Sequence, residues 1–271
     1  MEFTLYQLFW YFVIYSVLGW CVEVVFCSVT TGHWVNRGFL NGPVCPIYGF
    51  GMCIVLLCLT PLQNSLFLLF IGSFVLTSAL ELVTGFVLKT IFPTTWWDYS
   101  DQPFNLGGYV CLKFSLAWGL GGCAAVRMLH PPIATLVAIT PRRLGLVVAG
   151  LAAILLLTDF IVTLTTLLGL RRDLRELEAV AAALHKSSEA ISCNLGQAAL
   201  AADSVLTSQR TELEARIPAL EARRDLLRAR LLDTRLLGAG RLMKAFPRVH
   251  AVRHPETLAQ LKAELREKLH R

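Results

Sequence analysis

The chain has 271 residues, 55% hydrophobic and only 16% charged, with a mean hydropathy of +0.57. Soluble domains carry about 25% charged residues, so the composition excludes a single soluble enzyme domain and predicts a membrane protein. The formal net charge of +6 is unevenly placed. Residues 1–170 hold six Lys/Arg (Arg37, Lys89, Lys113, Arg127, Arg142, Arg143) against six Asp/Glu (Glu2, Glu23, Glu81, Asp98, Asp101, Asp159), whereas residues 171–271 hold 19 basic and 13 acidic groups. This predicts a transmembrane domain over 1–170 and a charged helical tail over 171–271. The eight Cys form no CxxC pair and mostly lie in apolar runs. That excludes a secreted disulfide scaffold and reads them as small apolar residues.

In chain order, five apolar stretches are long enough to cross about 30 Å of hydrocarbon as helices: 5–29, 44–60, 66–88, 109–128 and 144–170. The opening MEFTLYQ has no positive leader and no small-residue cleavage site follows, so the first stretch reads as a retained transmembrane helix. Pro43, Pro46, Gly49 and Gly51 crowd the start of the second, which reads either as a full span or as a half-helix or re-entrant segment. With five spans, Arg37, Lys89, Arg171, Arg172, Arg175 and Lys186 fall on the tail's side, against Arg127, Arg142 and Arg143 opposite. The positive-inside rule then predicts a cytoplasmic tail and an outside N-terminus, an assignment that changes if one span is re-entrant, and the expected location is the inner membrane.

The first half carries an internal repeat. Val17-Leu18-Gly19-Trp20-Cys21-Val22-Glu23-Val24-Val25 overlies Val75-Leu76-Thr77-Ser78-Ala79-Leu80-Glu81-Leu82-Val83 at an offset of 58 residues. Further on, Phe39-Leu40-Asn41-Gly42 resembles Phe104-Asn105-Leu106-Gly107, and Tyr48-Gly49-Phe50-Gly51 resembles Trp118-Gly119-Leu120-Gly121. The expected fold is all-α: a polytopic membrane helix bundle of about five spans, with two parallel two-helix repeats and a C-terminal helical or coiled-coil tail.

An ionisable group inside a span costs about 2.5–3.5 kcal/mol on insertion scales, which makes Glu23, Glu81, Lys113 and Asp159 functional candidates. Each also has a structural reading: the Glu pair by snorkelling or pairing with Lys113, and Asp159 by hydrogen bonding to a neighbouring Thr. The segment 92–105 places Trp96, Trp97, Asp98, Tyr99, Asp101 and Asn105 between Pro93 and Pro103. Aromatic faces beside carboxylates suit a cationic or sugar-like ligand, although two Trp and a Tyr also form an ordinary interfacial belt. The partner loop offers Arg37 and Asn41, with Arg37 expected to pair with Asp98, Asp101 or an anionic lipid headgroup. Together with Tyr48 and Trp118, these residues make up the expected binding site. The helix glycines read as close helix packing.

No GxxxxGK[ST] or HExxH motif occurs, so the chain has no ATP-binding motif of that kind. No cofactor or metal is expected, and His250 and His254 read as solvated. The segments GWCVE, NRGFLNGPVCPIYGFG, Glu81-Leu82-Val83-Thr84-Gly85 and WWDYSDQPFNLGGYVCLKFSLAWG resemble the family described as putative ABC-transporter type IV permeases, small bacterial multi-pass membrane proteins. The resemblance covers residues 5–165. It implies a permease subunit partnered by a separate ATPase, and it singles out Gly19, Glu23, Arg37, Gly38, Asn41, Gly42, Pro43, Pro46, Tyr48, Gly49, Glu81, Trp96, Trp97, Asp98, Tyr99, Phe104, Asn105 and Trp118.

In the tail, apolar or small residues at 174, 177, 181, 184, 188, 191, 195, 198, 202 and 205 form a heptad-like seam. A second seam runs through Leu213, Ile217, Leu220, Leu227 and Leu231, with Pro218 expected to break or kink its helix. The two seams predict a helical hairpin or pairing between subunits through 171–231. Basic and acidic groups alternate, so no nucleic-acid partner is expected beside the bilayer itself. Transport is the expected function. The alternatives are a membrane enzyme or lipid-handling protein acting on a lipid or lipid-linked sugar, and a non-catalytic scaffold acting through the tail.

Overall fold

The computed structural model describes residues 3–32, 34–91, 94–95, 97–198, 204–233, 240–241, 245, 250–251, 259–261 and 263–265. They fold almost entirely as helix and divide into two compact units, one of residues 1–163 with 244–252 and one of residues 164–243 with 253–271.

Helix α1 (Leu5–Thr31) begins at a reciprocal cap. The Gln7 amide donates to Thr4 Oγ1 at 3.3 Å and the Thr4 amide to Gln7 Oε1 at 3.0 Å, satisfying two of the helix's orphan donors. It ends at Gly32, whose left-handed φ of 73° costs glycine nothing and lets its amide reach Ser28 O. Helix α2 (Pro46–Leu59) starts with proline in its first turn, where the missing donor is an orphan anyway, and continues as a 3₁₀ turn to Leu62. Pro46–Leu62 is short for a span, 17 residues or about 25 Å of rise. Four other helical segments, Leu5–Thr30, Leu66–Ile91, Leu112–Ile139 and Arg142–Glu189, are long and apolar enough to cross a membrane.

Helices α1 and α2 pack as an antiparallel hairpin, and so do α3 (Leu66–Ile91) and α4 (Leu112–Ala124). The glycines explain the closeness. Gly49 lies against the Phe12 backbone and Ser16, and Gly119 lies against Phe70 and Phe74. Phe70 and Phe74 stand 58 residues after Phe12 and Ser16, while Gly119 follows Gly49 by 70. One helix–helix contact is thus made twice, and the extra 12 residues are taken up by the second loop.

The fourth apolar stretch does not stop at residue 128. Pro131 and Pro132 leave carbonyls one turn back without donors, and the chain widens into a π turn, Ala125–Leu129, where the His130 amide bonds Ala125 O. Helix α5 (His130–Ile139) then continues with the prolines in its first turn, where they are tolerated. The first unit's core gathers Tyr11, Tyr15, Met52, Val55, Leu56, Leu59, Leu69, Val126 and Val137. His130 packs edge-on to Tyr11 and bonds the Tyr15 hydroxyl at 3.3 Å. Many large apolar residues of α1, α3 and α6 (Arg142–Ala198) point outward, as a lipid-facing surface requires.

The loop after α3 carries three two-residue strands: β1 (Thr94–Thr95), β2 (Asn105–Leu106) and β3 (Val110–Cys111), the last two paired antiparallel. β1 pairs with β4 (His250–Ala251), so part of the stretch assigned to the tail is built into the first unit.

In the second unit, the later part of α6 and helix α7 (Ser204–Leu231) pack side by side. Arg223 Nε donates to Glu176 Oε1 at 2.6 Å, and Arg228 Nη2 to Glu264 Oε1 at 2.7 Å. Leu174, Leu177, Val180, Leu227, Leu231, Leu232, Leu261 and Leu265 are buried. The first seam turns at Val180, leaving Ala181 exposed, because a straight helix drifts from a strict 3.5-residue repeat. Pro218 does not end α7. It removes one donor and crowds one carbonyl, while the helix is held by the apolar contacts beyond it.

Candidate functional site

Glu23 and Glu81 lie near the C-terminal ends of α1 and α3, at matching places in the two hairpins. Each carboxylate is capped by a tyrosine. The Tyr48 hydroxyl donates to Glu23 Oε1 at 2.7 Å, and the Tyr99 hydroxyl donates to Glu81 Oε1 at 3.1 Å. The caps come from different places: Tyr48 from the first turns of α2, Tyr99 from the long loop before α4. Tyr48 packs edge-on to Trp118, with centroids 5.6 Å apart, and Tyr99 stacks on Phe114 at 4.8 Å.

Burial, first of all, holds the Tyr99 phenol above its usual range; the charge of Glu81, its hydrogen bond and, more weakly, Cys111 and Glu23 add to this. Tyr99 is therefore a lasting donor, and both carboxylates lie within its electrostatic reach.

The two carboxylates differ in counter-charge. Arg37 Nη1 sits 3.6 Å from Glu23 Oε2, so the expected partner of Arg37 among Asp98, Asp101 or lipid is replaced by Glu23. The loop geometry accounts for this. Trp20 Nε1 donates to Asn36 Oδ1 at 2.7 Å, Gly38 N donates to the same oxygen at 3.0 Å, and Asn36 Nδ2 donates to Asn41 O at 2.9 Å. Asn36 folds the loop back over the end of α1, so that Arg37 reaches Glu23. Glu81 Oε2, by contrast, is buried with no hydrogen-bond partner among the described residues. A half-satisfied carboxylate in a low-dielectric setting is costly.

The remaining expected site residues separate into groups. Asn41 binds Asp159 through both its backbone and side-chain amides. Asp98 is spent on its own loop, accepting from Ser100 N at 2.9 Å and Ser100 Oγ at 2.5 Å. Asn105 braces the same loop through Ser100 O, Gln102 O and Gly108 N. Trp97 Nε1 donates to Tyr109 O at 2.9 Å, and Gly85 admits both rings against α3. Asp101 and Lys113 are exposed, Lys113 lying over the Phe114 ring at 5.8 Å. Trp96 lies outside the described residues, as do Phe92 and Pro93. A cleft of about 280 Å³ lined by Leu56, Leu57, Thr60, Pro61, Gln63 and Asn64 with Phe3 is at the other end of the α1–α2 hairpin and has no titratable side chain.

Asp159 was legible as an intramembrane carboxylate that bonds a neighbouring Thr; Thr163 does donate to it, and the structure adds three donors from Asn41 and Gly42. Oδ1 accepts from Asn41 N at 2.9 Å, Asn41 Nδ2 at 2.8 Å and Thr163 Oγ1 at 3.3 Å, and Oδ2 accepts from Gly42 N at 2.7 Å. Asn36, the other organiser of this loop, opens the motif NRGFLNG and is one of its two amides, but what it holds was not legible in the sequence.

Residues 10–164 match the family model described as "Putative ABC-transporter type IV". The chain belongs to that family. The matched stretch contains both hairpins, both motif loops and the Asp159 segment of α6, and covers more than half of the chain. Neither the curated proteins nor the solved structures offer a match to it. Family membership and four long apolar helices together make this a multi-pass membrane protein related to transport.

Proposed function

We propose that this chain is the permease-like membrane subunit of an ABC-type transporter, resident in the inner membrane with its tail in the cytoplasm. A separate ATPase subunit supplies the energy, since the chain has no phosphate-binding loop of its own. The site lies between the two hairpins and takes a cationic solute or a coupled proton on Glu81, with Glu23, Arg37, Tyr48, Tyr99 and Trp118 around it.

One observation carries this reading: among the described residues, of two repeat-related carboxylates, Glu23 has a guanidinium partner, whereas Glu81 keeps a buried oxygen without one. Repeats that rock against each other give alternating access, and an unbalanced pair of carboxylates gives such a motion a charge to carry. The enzyme alternative rests on Asp98, Asp101, Arg37 and Asn105 clustered at a membrane face; the loop bonds of Asp98 and Asn105 and the pairing of Arg37 with Glu23 weigh against it.

The test is uptake and efflux of labelled mono- and polyamines in cells making the wild type, Glu81→Gln or Glu23→Gln/Glu81→Gln at equal levels. Loss of amine movement in both variants is expected, and unchanged movement in the double variant refutes the site. Affinity capture of the full-length protein from mild-detergent membranes is expected to bring a stoichiometric ATPase. Capture of bound glycolipid without an ATPase overturns the subunit role.

A further inference from the structure

Asp159 is an unusual tenant of an apolar helix. A carboxylate there is expensive, yet no cation faces it among the described residues; its charge is met by four donors, three of them from Asn41 and Gly42. These donors belong to the loop that carries Arg37, four residues before Asn41. The loop is thus gripped at both ends, by Trp20 of α1 through Asn36 and by Asp159 of α6 through Asn41 and Gly42.

Arg37 itself is held less firmly. Its contact with Glu23 is 3.6 Å, longer than a charge-assisted hydrogen bond, and its Nε is buried without an acceptor among the described residues. The guanidinium is therefore placed by the loop more than by its own bonds.

We propose that Asp159 is a positioning residue: α6, through this carboxylate, sets whether Arg37 neutralises Glu23. With the clasp closed, the site offers Glu81 alone; with the clasp open, it offers two carboxylates. This takes the two-carboxylate site as its frame, but its test does not depend on transport.

Asp159→Asn keeps the shape and breaks the clasp. Whichever way the amide turns, its NH₂ faces an N–H donor of Asn41 or Gly42. The readout is labelling of the full-length protein in native membranes by dicyclohexylcarbodiimide, which reacts with protonated carboxyls in apolar surroundings. Peptide mass spectrometry then gives the ratio of label at Glu23 to label at Glu81 in the same molecules. In the wild type the Arg37 guanidinium lies against Glu23, and the label at Glu23 is expected to be low. In Asp159→Asn the ratio is expected to rise about fivefold, the upper end of what a part-exposed ion pair supports. Asn41→Ala, which leaves Asp159 in place, is expected to move it the same way and serves if Asp159→Asn does not fold.

Arg37→Gln is also expected to raise the ratio, and adding Asp159→Asn to it is expected to raise it no further, because both act through one guanidinium. A ratio that stays at the wild-type value in Asp159→Asn and Asn41→Ala overturns the proposal. So does a rise at both carboxylates together, or an additive effect in the double variant, since either means Asp159 acts on the fold at large. If amine transport fails its own test while the ratio behaves as expected, the transport reading falls and the clasp stands.

Discussion

The two hairpins depend on glycines whose neighbours differ in how far they can yield, which makes a graded stability series. A Cβ at Gly49 would stand 2.5 Å from the Phe12 carbonyl oxygen, with ordinary contact beginning near 3.4 Å. A backbone oxygen of α1 cannot rotate away, so the helices must part by about 0.9 Å. Over-packing of this kind costs about 1–3 kcal/mol, and the rigid obstacle places Gly49→Ala near the top. Replacing a helical glycine with alanine returns about 1 kcal/mol, leaving a net loss of about 2. For a unit of this size that is a fall of about 4–8 °C in Tm. At the equivalent Gly119 the first obstacle is Phe70 Cε2 at 2.9 Å, the movable end of a ring, so Gly119→Ala is expected to be close to neutral. At Gly51 the nearest atom is Leu80 Cδ1 at 3.9 Å, and Gly51→Ala is expected to raise Tm by about 2–4 °C. The assay is thermal unfolding of the full-length protein in one detergent, followed by the monodisperse fraction after heating. A Gly49→Ala protein that melts at or above Gly51→Ala refutes the packing argument.

Three other outcomes are expected. The Tyr99 phenol is raised in the fold, so the stabilisation it gives is present below about pH 10 and lost as pH rises through its folded value. Tm should therefore fall more steeply with alkali in the wild type than in Tyr99→Phe, and superimposable profiles would count against the buried Tyr99–Glu81 pair. Leu227 is fully buried, and Leu227→Ala should destabilise the second unit by about 2–5 kcal/mol, against under about 1 kcal/mol for Arg223→Ala, whose ion pair is half exposed. Limited proteolysis of residues 164–233 would rank the two. Pro218 is exposed within α7, so Pro218→Ala should strengthen that helix by up to about 3 kcal/mol, seen as greater resistance of the same segment to proteolysis; faster cleavage would mean that the proline shapes a contact the helix needs.

Helix content and most of its limits were legible because apolar length and period are local properties. The repeat was legible from Glu23 and Glu81 with their aromatic-Gly partners, and the glycine contacts reproduce its offsets. The fourth stretch reads as 109–128 in the sequence, and only the widening at Ala125–Leu129 carries the helix on past Pro131 and Pro132. Of the break or kink expected at Pro218, the break does not occur, because tertiary packing outweighs one missing donor. That Asp98 and Asn105 bond their own loop was not legible, because sequence cannot tell a carboxylate that faces a site from one that closes its own turn.

By itself the sequence determined what solvent and periodicity control: an apolar helical body, a charged helical tail, and two carboxylates at repeated places within lipid-soluble helices. Tertiary structure alone decided which charges meet. Arg37 reaches Glu23 because Asn36 and Asp159, 123 residues apart, hold one loop from two helices. Ion pairing falls off over a few ångströms, and no local pattern encodes a distance between residues so far apart in the chain.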